Sequence, residues 1–240
     1  MPILLADPHV HSWYSDDCGV SATRTLDAAR RRGVGEIAIT DHNTMDGVRR
    51  AQKIGEQLGV VVIPGVEMTS ARGTHLIGLG LPIGTNLPDR RRYTEQNLVE
   101  MLRQLGCWAV IVPHPYLPGI GVGEVVLHQL LSLPKPPDAV EVLIGLRLMD
   151  RYQRELEHLC RQANVAPVAG SDSHFRRETC TRLTAWDSDQ APNLRTAIEK
   201  RITYPTGPGW GWGITAFHLA YGFGLLTWKR RFGWVHGSPD

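Results

Sequence analysis

Residues 2–12, PILLADPHVHS, combine an apolar run with two closely spaced histidines. The run over residues 2–6 is typical of a short buried strand, because polar residues do not alternate with the apolar ones. His9 and His11 follow it two residues apart, and the period of two in an extended chain points both imidazoles to the same side. The segment therefore predicts a buried strand that presents two imidazoles at its carboxyl end.

Further short apolar runs follow the first, separated by helical patterns. Strands are predicted over residues 2–6, 36–40, 60–66, 75–81, 108–112, 139–144 and 166–169. Helices are predicted over residues 23–32, 44–58, 90–105 and 149–162, the first three ending at the glycines expected of left-handed C-caps, Gly33, Gly59 and Gly106. Repeated crossovers favour a parallel α/β barrel over an open doubly wound sheet, and no Gly-rich phosphate loop follows a strand.

Composition excludes several other classes of protein. The 240 residues are 42% hydrophobic and 21% charged, which rules out a disordered or fibrous chain. A net charge of +2 is too small to predict a dedicated nucleic-acid surface. The four cysteines are widely scattered without a CxxC pair, and the amino terminus has no signal-peptide pattern, so we expect a reducing, cytoplasmic location.

The character of the sequence changes after Pro208. We expect a main domain over residues 1–208 and a short aromatic tail over residues 209–240, with a basic cluster at residues 229–231. The spacing of apolar residues in the tail predicts a helix. As a helix, residues 210–228 would extend about 28 Å, slightly less than a hydrocarbon core of about 30 Å. Three arrangements stay open: packing on the domain or a partner, contact with a membrane surface, or a membrane span.

Histidines and acidic residues mark the ends of the predicted strands, where barrel enzymes assemble their sites. The set is His9, His11, Asp16, His42, Glu67, His75, His114, Asp172 and His174. Each residue alone has an ordinary explanation, such as a helix cap or a hydrogen-bonded core histidine. Together they would repel one another and lose hydration unless cations bound them. Nitrogen and oxygen donors without thiolate predict two or three divalent metal ions, of Mn, Zn or Fe rather than Mg alone.

In order and spacing these residues resemble the PHP (polymerase and histidinol phosphatase) family. The likeness covers about residues 3–206 and rests on DPHVHS at 7–12, SD at 15–16, TDHN at 40–43, GVE at 65–67, His75, His114-Pro115 and GSDSH at 170–174. It implies a distorted TIM-like (β/α)7 barrel with a trinuclear metal site and phosphoesterase activity. Two departures are Pro8, where an apolar residue such as Leu is usual, and a sixth strand that ends without the polar residue often found there.

The resemblance also assigns the ligands. The first metal would be held by His9, His11, Glu67 and Asp172. Glu67 would bridge to a second metal on His75 and His114, and the third would lie on Asp16, His42 and His174. The candidate catalytic residues are Glu67 as the bridging ligand, with Asp172 or His174 behind a metal-bound water as the proton donor to the leaving oxygen. Asp7 and Asp41 either orient ligating imidazoles or form ordinary hydrogen bonds at strand ends.

The sequence thus predicts hydrolysis of a phosphate mono- or diester by water that bound cations activate. Four loop arginines are candidates for binding phosphate oxygens, namely Arg72, Arg147, Arg176 and Arg177. We expect a small phosphorylated metabolite or a nucleotide as substrate, with an oligonucleotide as the second option. Two other functions stay open: a metal-dependent hydrolase of C–N bonds, and a non-catalytic module whose metals stabilise a scaffold.

Overall fold

The computed structural model describes residues 2–89 and 92–216. Its strands are β1 Ile3–Val10, β2 Glu36–Ile39, β3 Val61–Thr69, β4 His75–Leu79, β5 Ala109–Val112, β6 Ala139–Leu143, β7 Ala166–Ala169, β8 Leu183–Asp187 and β9 Tyr204–Thr206. Its helices are α1 Ala22–Arg31, α2 Val48–Leu58, α3 Glu95–Gln104, α4 Gly123–Leu131, α5 Gln153–Ala163 and α6 Leu194–Lys200. A 3₁₀ helix, Arg147–Tyr152, precedes α5.

The strands form one nearly closed, barrel-shaped sheet in the order β7-β6-β5-β4-β3-β2-β1-β8-β9. The chain that follows β7 returns to β1, where Asp172 N–H donates to the His9 carbonyl at 2.9 Å and His11 N–H donates to the Ser173 carbonyl at 3.1 Å. Across the remaining gap, the Thr184 hydroxyl bridges β8 to β7 by bonding both the N–H and the carbonyl of Ala169. The α/β barrel expected from the sequence is therefore confirmed.

One strand runs against the predicted parallel direction. β4 is antiparallel to both of its neighbours, β3 and β5. Residues 70–74 between β3 and β4 form a tight turn, in which Ser70 N–H donates to the Thr74 carbonyl at 2.7 Å and Gly73 has a φ of 87°. A parallel partner needs a crossover of a dozen or more residues, so this connection allows only a hairpin. Two strands that the sequence did not predict complete the sheet: β8 is antiparallel to β1, and β9 is antiparallel to β8.

Burial explains why the strands read as apolar runs. Every residue of β4, β5 and β6 is buried, because helices cover the outer face and side chains fill the barrel. The left-handed glycines predicted at helix ends are confirmed, with φ of 69° at Gly33, 69° at Gly59 and 96° at Gly106. The sequence patterns placed the starts of α2, α3 and α5 too early and missed α4 and α6, which are short.

Beyond β9, residues 207–211 cross the carboxyl end of the barrel as a strap. Gly209 N–H donates to the Thr181 carbonyl at 2.9 Å, and Trp210 N–H donates to the Gly145 carbonyl at 2.6 Å. The Trp210 ring lies against Gly145 so closely that a Cβ there would come within 2.2 Å of it. Residues 212–216 are helical, and the rest of the predicted aromatic tail lies outside the described residues. Within the described chain, no helix has the length and hydropathy needed to cross a bilayer.

The two tryptophans of the strap provide a stability test. Trp210 is 5% exposed and Trp212 is 77% exposed, although they are two residues apart. We expect Trp210→Ala to lower the free energy of unfolding by about 3 kcal/mol, because it empties a packed site. Trp212→Ala should change it by less than about 0.5 kcal/mol. Urea denaturation followed by circular dichroism measures both, and equal effects would contradict the observed packing.

Candidate metal centre

The donor residues meet at the carboxyl end of the barrel because of how the strands run. His9 lies in β1 and Glu67 lies in β3, each near the carboxyl end of its strand. The antiparallel direction of β4 matters here, since it brings the first residue of that strand, His75, to the same rim. His114 and Asp172 follow β5 and β7 with φ of 29° and 50°, a backbone region that non-glycine residues rarely adopt. Such strain is typical of functional sites.

Glu67 is fully buried, and both of its carboxylate oxygens face imidazoles. Oε1 lies 2.9 Å from His75 Nδ1 and 3.0 Å from His114 Nε2. Oε2 lies 3.3 Å from His9 Nε2, 3.1 Å from His11 Nε2 and 3.1 Å from His42 Nδ1. One carboxylate thus joins imidazoles from opposite sides of the centre, which is the arrangement of a bridging ligand.

Asp172 completes a second set of donors beside Glu67. Its Oδ1 lies 3.3 Å from the Nε2 atoms of both His9 and His11. Those two Nε2 atoms are only 3.2 Å apart, although at most one proton can lie between them. Two imidazole nitrogens and two carboxylates therefore point at one small volume, where a cation would remove the repulsion between their lone pairs.

The third set of donors contains Asp17 and not Asp16, which corrects the sequence prediction. Asp17 Oδ2 lies 3.2 Å from His42 Nε2 and 3.1 Å from His174 Nε2, whereas the Asp16 side chain is exposed and belongs to none of the donor groups among the described residues. A turn over residues 15–18 makes the difference, since Cys18 N–H donates to the Ser15 carbonyl at 3.3 Å. Both ends of the turn are buried, and of its two central residues only Asp17 faces the histidines.

Other polar groups orient the imidazoles from behind. Glu141 Oε1 lies 3.0 Å from His9 Nδ1, and its Oε2 accepts the His114 N–H at 2.9 Å. Ser15 Oγ lies 2.9 Å from His11 Nδ1, and the Asp172 carbonyl lies 3.0 Å from His174 Nδ1. The contacts to His9, His11 and His174 each engage one ring nitrogen and direct the other at the centre, as partners of metal-bound histidines do, whereas the contact to His114 holds its backbone.

Glu141 was not among the predicted site residues, because the sixth strand ends without a polar residue. The available signal was a glutamate in the middle of the otherwise apolar strand AVEVL, since a buried carboxylate there needs partners. Asp7 and Asp41 hold loops rather than imidazoles. Asp7 accepts hydrogen bonds from the Ser171 hydroxyl at 2.6 Å and from Cys180 N–H at 3.0 Å, and Asp41 accepts both the N–H and the hydroxyl of Ser12 at 2.6 Å.

The charges of the cluster depend on one another. Burial alone would raise the pKa of Glu67, but the nearby imidazoles of His75, His42 and His9 hold that pKa well below its usual range. Burial alone would lower the pKa of His42, yet Glu67 and Asp17 raise it to about 9. In the same way Asp17 raises the pKa of His174 to about 10 against the effect of burial. Without metal, protonated imidazoles therefore balance the carboxylates near neutral pH.

The residues present fit divalent cations. Four overlapping groups of donors each have their ligand atoms within 4.8 Å of one another, namely His11–Asp17–His42–His174, His9–His11–Glu67, His9–His114–Asp172 and His42–Glu67–His75. Several of these atoms are buried without a hydrogen-bond partner in the described chain, among them Glu67 Oε2, His42 Nδ1 and His75 Nδ1. Buried polar atoms are otherwise almost always bonded, so these are the atoms that a metal would engage. All donors are imidazole nitrogens or carboxylate oxygens, which suits Zn, Mn or Fe.

The arginines expected to bind phosphate differ in their positions. All four are exposed, and within the described residues no hydrogen bond or ion pair joins them to the donor cluster. Arg72 lies in the β3–β4 turn, and Arg147 opens the 3₁₀ helix beside the strap. Arg176 and Arg177 follow His174 and line a cavity at the rim.

Comparisons with known proteins agree with this geometry. A family model for the PHP domain matches residues 7–164. The phosphoribosyl 1,2-cyclic phosphate 1,2-diphosphodiesterase of Eggerthella lenta is 37% identical over 86 residues, which are 34% of this chain and 32% of that protein. The 3′,5′-nucleoside bisphosphate phosphatase of Chromobacterium violaceum is 30% identical over 104 residues, which are 42% of this chain and 36% of that protein. The aligned segments thus span about a third of the length of these curated relatives.

A solved structure shows the same fold over more of the chain. It is a two-domain protein from Bacteroides vulgatus that contains a predicted PHP-like metal-dependent phosphoesterase. The TM-score is 0.66 at 20% identity, and the match covers 86% of this chain and 65% of that one. The family model ends before Asp172 and His174, so their place in the cluster rests on the geometry described above.

The adjacent acids Asp16 and Asp17 allow a matched test of the third donor group. We expect Asp17→Asn to weaken binding of the metal held by this donor group by at least about 10-fold, because it removes a charged ligand atom. Asp16→Asn should leave affinity unchanged, because its side chain is exposed. Titration of the chelator-treated proteins with Mn²⁺ by isothermal calorimetry measures both. A larger loss for Asp16→Asn would contradict the position of the turn.

Metal binding should release protons. The pKa values of His42 and His174 are raised to about 9 and about 10, and against the effect of burial the carboxylates of Glu141, Asp172 and Glu67 raise the pKa of His9 well above its ordinary value, so these three imidazoles are protonated at pH 7 in the metal-free chain. A ligating imidazole must be neutral, so binding near pH 7 should release about three protons and become tighter as pH rises from 6 to 9. Calorimetry in buffers of different ionisation enthalpy counts these protons. Affinity that stays constant or falls over that range would contradict the charge state described here.

Proposed function

The chain belongs to the PHP domain family, and we propose that its donor cluster makes it a metal-dependent hydrolase of phosphate mono- or diesters. The observation that carries this proposal is the position of Glu67, whose two oxygens face five imidazoles at the barrel rim. A carboxylate in that position can hold adjacent ions together, and paired ions are the usual means of attacking a phosphoryl group with water. The full set of donors argues for catalysis rather than for a scaffold alone.

Exposure indicates the side from which the substrate arrives. The side chains of His9 and Glu67 are fully buried, whereas those of Asp172, His42 and Asp17 are 12%, 18% and 20% exposed. The ester therefore meets the centre on the side of Asp17 and His42. His9, His11, Asp17, His42, Glu67, His75, His114, Asp172 and His174 would hold the ions, of which we propose two or three. When bound, these ions would supply a water of lowered pKa and electrophilic contacts for phosphoryl oxygens.

The residues of this chain have distinct tasks in that reaction. Glu141 and Ser15 fix the orientation of His9 and His11, so that the ring nitrogens stay directed at the centre when a substrate enters. On the accessible side, His174 has its Nε2 3.1 Å from Asp17, and we propose that the leaving oxygen would take its proton from a water at the ions, with His174 or Asp172 positioned behind that water.

The substrate that we propose is a small phosphorylated metabolite or a nucleotide. The two curated relatives act, by their names, on a cyclic phosphate and on a nucleoside bisphosphate. Both are small phosphate esters, and the net charge of +2 does not favour a long nucleic acid. Of the candidate metals we favour Mn, Zn or Fe over Mg, because imidazoles outnumber carboxylates in the cluster.

Glu67→Gln tests the proposed function. The variant should keep its fold, lower the metal content and reduce turnover by at least about 100-fold, because the amide cannot bridge two cations. Initial rates with p-nitrophenyl phosphate, bis-p-nitrophenyl phosphate and p-nitroacetanilide, with Mn²⁺ or Zn²⁺, measure turnover and separate phosphate esters from amides. Metal content is measured by mass spectrometry.

Glu36→Gln is the matched control, since Glu36 accepts the Leu194 N–H at the amino end of β2, away from the donors. Its rate should equal that of the parent chain. Faster cleavage of the amide than of either ester would overturn the assignment to phosphate chemistry, and an unchanged rate in Glu67→Gln would overturn the bridging role.

A further inference from the structure

A cavity of about 490 Å³ lies beside the donor cluster. Three segments form its walls in the described structure: residues 19–24 at the start of α1, residues 175–178 after β7, and residues 213–214 beyond the strap. Small-molecule sites typically have volumes of about 300–1,000 Å³, so this cavity can admit one small ligand or one portion of a larger substrate.

The cavity adjoins the backbone of His174, because Gly19 at its wall contacts that residue and Phe175 at its wall follows it in sequence. Gly19 N–H and Cys18 Sγ both donate to the His174 carbonyl, at 3.1 Å and 3.2 Å. Glu178 Oε2 accepts the N–H groups of His174 at 2.7 Å and Phe175 at 3.0 Å, which ties the far side of the loop to the same residue. Consecutive Cα atoms are about 3.8 Å apart, so Arg176 begins within about 8 Å of His174. A ligand in the cavity is therefore close enough to be part of a substrate at the metals.

The charges around the cavity favour an anion. Arg24, Arg176 and Arg177 are exposed at its walls, and none of them forms an ion pair within the described residues. The carboxylate among the lining residues is that of Glu178, which is buried and accepts two backbone N–H groups. Guanidinium groups bind phosphate oxygens in a two-pronged geometry, so several of them around one cavity suit a phosphate group.

We propose that this cavity binds a second phosphate of the substrate, one that is not cleaved, a role that rests on the phosphoesterase activity proposed above. The substrate class is then an ester with two phosphates, one at the donor cluster and one held by Arg24, Arg176 and Arg177. Among the arginines expected from the sequence, Arg176 and Arg177 line this cavity, whereas Arg72 lies on the β3–β4 turn and Arg147 lines a different cavity, beside the strap. In this proposal Arg176 and Arg177 determine substrate specificity without contacting the bond that is cleaved.

The test compares substrates that differ by one phosphate. Adenosine 3′,5′-bisphosphate and adenosine 5′-monophosphate are one pair, and a dinucleotide with and without its 5′-phosphate is the other. In the Mn²⁺-loaded chain, Arg176→Ala/Arg177→Ala should raise KM for the doubly phosphorylated member of at least one pair by about 10-fold or more, because charge-assisted bonds to phosphate are lost. KM for the singly phosphorylated member and kcat for both should change less than about 2-fold. The pair whose KM rises shows whether the second phosphate belongs to a nucleoside bisphosphate or to the 5′ end of an oligonucleotide.

Arg30→Ala/Arg31→Ala is the control, because these two exposed arginines are also adjacent in sequence but pair with Asp27 near the end of α1. It should leave every KM unchanged. A second readout is calorimetric binding of adenosine 3′,5′-bisphosphate and of the 5′-phosphorylated dinucleotide to the chelator-treated chain, which needs no turnover. If the parent chain binds either compound more tightly than the Arg176/Arg177 variant does, the role of the cavity is supported, even if no ester is hydrolysed. Absence of hydrolysis would overturn only the proposed activity. Equal binding of both, or equal losses for singly and doubly phosphorylated substrates, overturns the cavity's role.

Discussion

The buried carboxylate of Glu67 among five imidazoles is the interaction on which the rest of the site depends. A carboxylate with no exposure would be costly to ionise, and only compensating positive charge makes it stable. Protonated imidazoles can supply that charge, which is why the pKa of Glu67 is low and the pKa of His42, which faces Glu67 and Asp17, is raised. Divalent ions supply the same charge more compactly. Protons on the imidazoles thus balance the carboxylate charge when no metal is bound, and divalent cations would balance it in the metal-bound state.

Irregular features of the barrel, rather than its regular strand–helix–strand crossovers, place several of the donor residues around Glu67. The reversed strand β4 brings His75 to the rim at its first residue, which a parallel strand could not do. His114 and Asp172 reach the centre with positive φ, a conformation that the surrounding hydrogen bonds must stabilise. Glu141 does so for His114 by accepting its N–H. Regular packing therefore provides stability, and local exceptions provide the geometry of the donors.

The sequence predicted the first seven strands and named most of the donor residues, because both leave local marks, apolar runs and polar residues at their ends. It named Asp16 where the structure places Asp17 among the donors, since the direction of each side chain depends on a turn held by distant contacts. It assigned no role to Glu141, because a residue that acts through another leaves no spacing pattern. The direction of β4 was not predicted, although the predicted strands over residues 60–66 and 75–81 leave only eight residues between them, too few for a parallel crossover. The set of metal ligands is a proposal that the distances among the donor atoms support. Substrate preference depends on loops, whose sequences show little regular spacing of apolar and polar residues.

The loop over residues 170–182 links the chemistry to the choice of substrate. It supplies Asp172 and His174 to the centre, lines the cavity with Arg176 and Arg177, and offers the Thr181 carbonyl to the strap. Asp7 braces both ends of this loop through Ser171 and Cys180, and because Asp7 is fully buried its pKa is raised to about 6. A change in the loop backbone would therefore alter metal binding and substrate binding together. A change confined to the arginine side chains would alter the cavity alone, so the donor cluster and the proposed substrate preference can vary independently.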